Sequence, residues 1–143
     1  MQILKAIVVI ATLSTASYAV ACPDSKTEKK EVTKVTVASA AKLHKANKII
    51  MVDANSPATR TKQGVVPGAR LLTSYSKFAA SELKASKDDT LVFYCYSEKC
   101  SAAPKAAMTA QSMGFKTKVM DAGIMGWKKA GHAVKKIKSS PNS

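Results

Sequence analysis

The stretch Leu91-Val92-Phe93-Tyr94-Cys95-Tyr96-Ser97-Glu98-Lys99-Cys100, followed by SAAPKAAMTAQSM through Met113, decides the architecture. Its first four residues form an uninterrupted apolar run, the pattern of a strand buried on both faces. Ser101 to Met113 is rich in helix formers, with Pro104 in the first turn, where the missing N–H costs nothing, and Gly114 as terminator. The unit is strand, loop, helix, and Cys95 is the first residue of the loop. A second apolar run, Ile49 to Val52, ends in Asp53.

Working outward, a β-prone segment lies at Val35–Val37. A helix is expected from an N-cap at Ser39 to about Asn47, and another over Ser76–Ala85. Residues Asn55–Gly64 read as a loop that leaves room for a short helix. A short strand is expected at Lys118–Met120 and a last helix over Ile124–Ala130, closed by Gly131. Alternating strands and helices predict a single α/β domain with a central, mainly parallel sheet flanked by helices. In such sheets ligands gather beyond the carboxyl ends of the strands, which singles out Asp53 and Cys95. Backbone N–H groups of a loop that opens a helix favour an anion, so a thiolate at Cys95 is expected to gain reactivity there. Lys99 adds positive charge and Glu98 opposes it. Two other readings of the cysteines stand beside this one: a buried, inert Cys95, or a structural disulfide between Cys95 and Cys100.

The ends of the chain read differently. Met1–Ala21 has the layout of an export signal: Lys5, the apolar run Ala6–Leu13, then Ala19-Val20-Ala21 at a cleavage site. Cleavage there leaves Cys22 first, a candidate for lipidation, although Ala19 stands where a lipobox carries a larger aliphatic residue. Residues 22–33 read as a polar linker, 34–138 as the domain and 139–143 as a polar tail. The expected location is outside the cytoplasm, in the periplasm, with a membrane anchor only through lipidated Cys22.

The 143 residues suffice for one domain. From Cys22 onward the chain holds 22 basic and 9 acidic residues, a charge of +13 that favours anionic partners. The lysines are scattered, with neither an arginine-rich stretch nor a stacking platform, so nucleic acid is not expected as a partner. His44 and His132 lack metal-spaced partners. No metal or organic cofactor is expected.

Three blocks, in order, resemble the rhodanese family over roughly Val35–Val134. Ile49-Ile50-Met51-Val52-Asp53 with Val66-Pro67-Gly68-Ala69 is similar to the family's strand ending in aspartate and its later I-P-G-A. Val92 to Ala102 resembles the active-site strand and loop. Ala122 to Val134 resembles the closing G-G-x-x-x-W-x-x-A-G-x-P-V. The resemblance implies a sulfurtransferase in which Cys95 carries sulfane sulfur as a persulfide. Tyr96, Ser97, Glu98, Lys99 and Ser101 would form the active-site loop, with Asp53 supporting it. Where many members have C-x-x-G-x-R, this chain has Glu98 and Cys100 at the last two named positions. Asn55 stands where an arginine commonly follows the strand aspartate, and Val65 where a histidine often precedes I-P-G-A. The related phosphatase chemistry needs a longer loop that keeps the arginine. The C-x4-C loop resembles an exported subset, in which Cys100 is the resolving thiol. Implied partners are a small anionic sulfur donor such as thiosulfate or polysulfide, a thiol acceptor and a partner redox protein. The alternatives are a thiol–disulfide redox protein using the same pair, and a non-catalytic binding module. Trp127 and the nearby glycines are expected to serve packing.

Overall fold

The computed structural model describes residues 31–138. The expected signal, the lipidation candidate Cys22, most of the linker and the tail lie outside the described residues. Within them, five strands form one parallel sheet: β1 (Thr33–Val35), β2 (Ile50–Asp53), β3 (Arg70–Leu71), β4 (Thr90–Tyr94) and β5 (Lys116–Met120), in the order β1-β5-β4-β2-β3. Helices α1 (Val37–Lys45), α2 (Pro57–Gln63), α3 (Ala80–Leu83), α4 (Ala102–Ser112) and α5 (Gly123–Lys129) connect or follow them. The α/β class and the central parallel sheet are as the sequence predicts. Among the described residues, no helix is long and apolar enough to cross a membrane.

The two apolar runs are continuous because both faces of their strands are covered. Along β4 and its next residue, Leu91, Phe93 and Cys95 pack with Val52 and with Ala103, Ala106, Ala107 and Ala110 of α4. Val92 and Tyr94 point the other way, toward Met51, Ala40 of α1, and Ile124 and Trp127 of α5. The period of two on the strand meets the i, i+3, i+4, i+7 alanine stripe on α4. Side chains that small let the helix lie close against the sheet. Trp127 fills the opposite face as expected, and its indole N–H donates to Ala133 O at 2.9 Å.

Local boundaries differ where capping chemistry was misread. The first helix is capped by Thr36, whose Oγ1 accepts from Ser39 N at 3.2 Å, so Ser39 sits inside the first turn rather than at the cap. The preceding strand accordingly ends at Val35. Ser56, followed by Pro57, caps a true helix across the segment read mainly as loop. The helix expected over Ser76–Ala85 contracts to α3. Glu82 fixes its start by accepting the N–H groups of Ala79 and Thr73. Those bonds hold the Glu82 carboxyl below the usual carboxylate range.

The helix α2 has a structural consequence. It delivers Arg60, which is buried, onto Asp53, which is fully buried. Arg60 Nε donates to Asp53 Oδ1 at 3.1 Å, and one terminal nitrogen donates to the carbonyls of Asp53 (2.9 Å) and Leu72 (2.8 Å). One guanidinium thereby ties the end of β2 to the chain leaving β3. Replacing one partner of such a pair leaves the other charged and unsolvated. Arg60→Leu is expected to lower stability by about 3–5 kcal/mol in urea unfolding, with part recovered in Arg60→Leu/Asp53→Asn. A loss below about 1 kcal/mol, the range of surface pairs, would show that the pair braces nothing.

Candidate active site

The sheet order creates a crevice at one place. The chain leaving β2 crosses outward to β3, whereas the chain leaving β4 crosses to β5 on the other side. The neighbours β2 and β4 therefore diverge at their carboxyl ends, with Asp53 directly opposite Tyr94 in the register. Asp53 and Cys95 are thus brought to the same edge of the sheet. Asp53 Oδ1 also accepts Asn55 N at 2.7 Å, the backbone role expected of it. Tyr94 lies beneath the crevice and its hydroxyl accepts Val66 N at 3.0 Å. Burial first, and then the adjacent Asp53 carboxylate, push the Tyr94 phenol far above its ordinary range, so it stays neutral.

Cys95 and Cys100 are joined by a disulfide, with Cα atoms 6.3 Å apart. The loop between them turns on a hydrogen bond from Cys100 N to Ser97 O (3.0 Å). The two sulfurs have different surroundings. Cys95 is 2% exposed. Its Sγ lies 3.3 Å from Cys100 O and 3.9 Å from Ser97 O, so carbonyl oxygens face it where a cradle of loop amides was expected. Cys100 is half-buried and directly precedes Ser101, the N-cap of α4, whose side chain makes no capping bond. The start of α4 therefore lies one residue beyond Cys100. Glu98, Lys99 and Ser101 are exposed, and Tyr96 is 42% exposed.

A cleft of about 310 Å³ opens on the Cys100 side, lined by Asn55, Thr73, Tyr75, Tyr96, Cys100 and Ala102 among others. Cys95 is not among its lining residues. Asn55 is buried and its Nδ2 has no hydrogen-bond partner. Sequence reasoning missed Arg60, Asn55 and Tyr75 as contributors. The Ser56-Pro57 helix start was the available signal for the first, since a helix there carries residue 60 back toward β2. Nothing in the sequence brings Tyr75 to Tyr96. His44 packs away from the crevice, its Nε2 2.8 Å from Pro67 O, and His132 stacks near Trp127 with ring centroids 4.6 Å apart. Among the described residues no group of three His, Cys, Asp or Glu side chains is arranged as metal ligands.

The loop is clamped from the far side by α5. Ile124 N donates to Cys95 O (2.8 Å) and Met125 N to Tyr96 O (3.1 Å). Gly123, at φ +62°, makes this approach feasible: a Cβ there would lie 2.7 Å from Cys95 O and 2.6 Å from Tyr96 O. Gly123→Ala is expected to cost more than about 1 kcal/mol in thermal unfolding. It should also raise amide hydrogen exchange at Ile124 and Met125 selectively. Unchanged exchange there would mean the clamp does not fix the loop.

Comparison with known proteins agrees with this architecture. A family model, rhodanese-like domain, matches residues 36–130. No curated protein matches the chain. Among solved structures, a Bacillus halodurans protein is similar at 27% identity and a TM-score of 0.65, over 76% of this chain and 80% of that one. A rhodanese-like domain protein from Staphylococcus aureus is similar at 15% identity and a TM-score of 0.59, over 73% of this chain and 99% of that one. A thiosulfate sulfurtransferase from Pseudomonas aeruginosa has 19% identity and a TM-score of 0.60, covering 73% of this chain but 19% of that larger one. At those last two identities the likeness concerns the fold alone. With most of its length matched, the chain belongs to the rhodanese-like domain family.

Proposed function

We propose that this protein is a sulfurtransferase that takes up sulfane sulfur on Cys95 and releases it with the help of Cys100. The observation that carries the reading is the bonded pair at the carboxyl end of the central strand, in the loop where the family holds its reactive cysteine. In the dithiol form, where the disulfide no longer ties the loop down, the loop opens Cys95 to the donor and its thiolate attacks the donor's outer sulfur. With a persulfide or polysulfide the remaining thiolate leaves with the electron pair, and with thiosulfate sulfite leaves. Cys95 then bears a persulfide. Attack of the Cys100 thiolate on Cys95 Sγ expels hydrosulfide and forms the Cys95–Cys100 disulfide. Cys100 is suited to that step because the N-terminus of α4 favours its thiolate.

The donor class follows from charge and shape. Cys100 occupies the loop position where an arginine would grip thiosulfate, so a polysulfide or persulfide is the better-fitting donor. The disulfide formed in each turnover needs a thiol reductant, which in this reading is a partner redox protein. An exported, periplasmic location, with or without a lipid at Cys22, fits a disulfide that must persist between turnovers. The same pair without a sulfur donor would act as a thiol–disulfide redox couple, a second reading favoured by the closed disulfide itself.

Intact-mass measurement separates these readings. Pre-reduced protein exposed to polysulfide should gain one sulfur atom in Cys100→Ser, where release is blocked, and none in Cys95→Ser. The parent chain should instead lose two hydrogens and release sulfide. Oxidation without sulfide release, and no sulfur on Cys100→Ser, would replace sulfur transfer with the redox couple.

A further inference from the structure

The two sulfurs of the disulfide are not equivalent to an incoming nucleophile. Thiol–disulfide exchange is an in-line displacement: the attacking sulfur approaches one disulfide sulfur along the S–S axis and the other leaves. Cys100 lines an open cleft, whereas Cys95 is 2% exposed, packed against Val52, Phe93 and Ala103, and does not line that cleft. Leaving-group chemistry points the opposite way. The positive end of α4 makes Cys100 the better leaving thiolate and so favours attack on Cys95. A helix terminus alters such a rate by less than about tenfold. Attack on Cys95 first requires the loop to be lifted from both α4 and the α5 clamp. Access therefore decides.

The cleft also indicates what kind of thiol enters. The side chains of Tyr75 and Tyr96, 40% and 42% exposed, offer apolar surface on its rim. Within its lining, Asn55 holds an N–H donor, Nδ2, that has no partner. An extended peptide supplies both an apolar stem and a carbonyl oxygen beside its cysteine. A simple alkyl thiol supplies no carbonyl.

We propose that the reducing thiol of a cysteine-containing peptide attacks Cys100, seated in the Tyr75–Tyr96 cleft with a carbonyl oxygen accepting from Asn55, and that Cys95 is the leaving sulfur. This rests on the reading of the Cys95–Cys100 pair as chemically active. The peptide thiolate forms a bond to Cys100 Sγ while the Cys100–Cys95 bond breaks. Cys95 leaves as a thiolate and takes a proton from water, after which its S–H is placed to donate to Cys100 O. A second peptide thiol then displaces Cys100 from the mixed disulfide. The result is one peptide disulfide, oxidised by two electrons, and one protein dithiol, reduced by two. By microscopic reversibility, the same mixed disulfide forms on Cys100 when the protein dithiol reduces a peptide disulfide.

The test uses the oxidised full chain and reduced glutathione as the peptide thiol. The reaction is stopped early with acid, alkylated with N-ethylmaleimide in denaturant and digested with trypsin. Lys99 lies between the two cysteines, so they fall on separate peptides. Glutathione is expected on the Cys100 peptide and maleimide on the Cys95 peptide, by at least about tenfold over the reverse pattern. With oxidised glutathione and Cys22→Ser added to both, Cys95→Ser should form a mixed disulfide at least about tenfold faster than Cys100→Ser. Asn55→Leu should slow the glutathione reaction by about threefold to tenfold relative to that of 2-mercaptoethanol. Glutathione mainly on Cys95, or equal reactivity of Cys100 and Cys95 in the two variants, overturns the assignment of Cys100. An Asn55→Leu effect equal for both thiols overturns the peptide seat. A disulfide that resists both thiols in the folded protein overturns the assignment together with the active-pair reading. Clean attack on Cys100 without any sulfur uptake from polysulfide sinks sulfur transfer alone.

Discussion

The burial of β4 on both faces is the constraint from which the rest of the molecule follows. Leu91 to Tyr94 have no exposed side chain, so helices must cover the sheet above and below. That places α4 on one face and α5 on the other, each starting at the carboxyl end of a strand. Cys95 is the first residue past the strand and inherits its burial. The loop that follows is caught between the start of α4, which it enters, and the start of α5, which donates to its carbonyls. A reactive group there has little freedom, and the chemistry open to it is set by which backbone atoms face it.

Those atoms divide the pair of cysteines. Carbonyl oxygens surround Cys95 Sγ, and a helix N-terminus lies next to Cys100. The disulfide therefore joins a buried sulfur faced by two carbonyl oxygens to a half-buried sulfur beside the start of a helix. Such an asymmetry suits an ordered reduction of the closed disulfide, in which the incoming thiol meets Cys100 and Cys95 leaves within the loop. A purely structural crosslink gains nothing from it.

Much of this was legible from residues alone. The apolar runs at Ile49–Val52 and Leu91–Tyr94 specify the two-sided strands, and their polar ends mark the crevice. The run of helix formers after Cys100 and the three ordered blocks together specify the domain. What escaped was tertiary. Thr36 and Ser39 are both competent N-caps, and only the packing of Val37 and Ala40 selects the earlier one. The loop Cys95–Cys100 reads as an amide-lined turn, but its peptide orientations depend on α5, which is remote in sequence. Tyr75 reaches the cleft only because Glu82 pins the segment after β3 through Thr73 N.

The fate of the arginines ties the fold to the chemistry. The chain has 23 basic residues, yet only Arg60 and Arg70 are arginines. Arg60 is buried, and its guanidinium is engaged by Asp53 and two carbonyls, so it holds the crevice together and does not line the Cys100 cleft. Arg70 lies in β3 and does not line the Cys100 cleft. Positive charge near the loop comes from lysine, as at exposed Lys99. Lysine attracts anions at a distance but lacks the planar fork that fixes an oxyanion in one orientation. A site with no arginine in its lining and two exposed tyrosines among its lining residues selects partners by apolar contact. That combination suits sulfur carried on an organic thiol better than sulfur carried on a small oxyanion. In the proposed chemistry, Cys100, at the loop position where the family resemblance implies an arginine in many members, both removes the oxyanion grip and provides the second thiol.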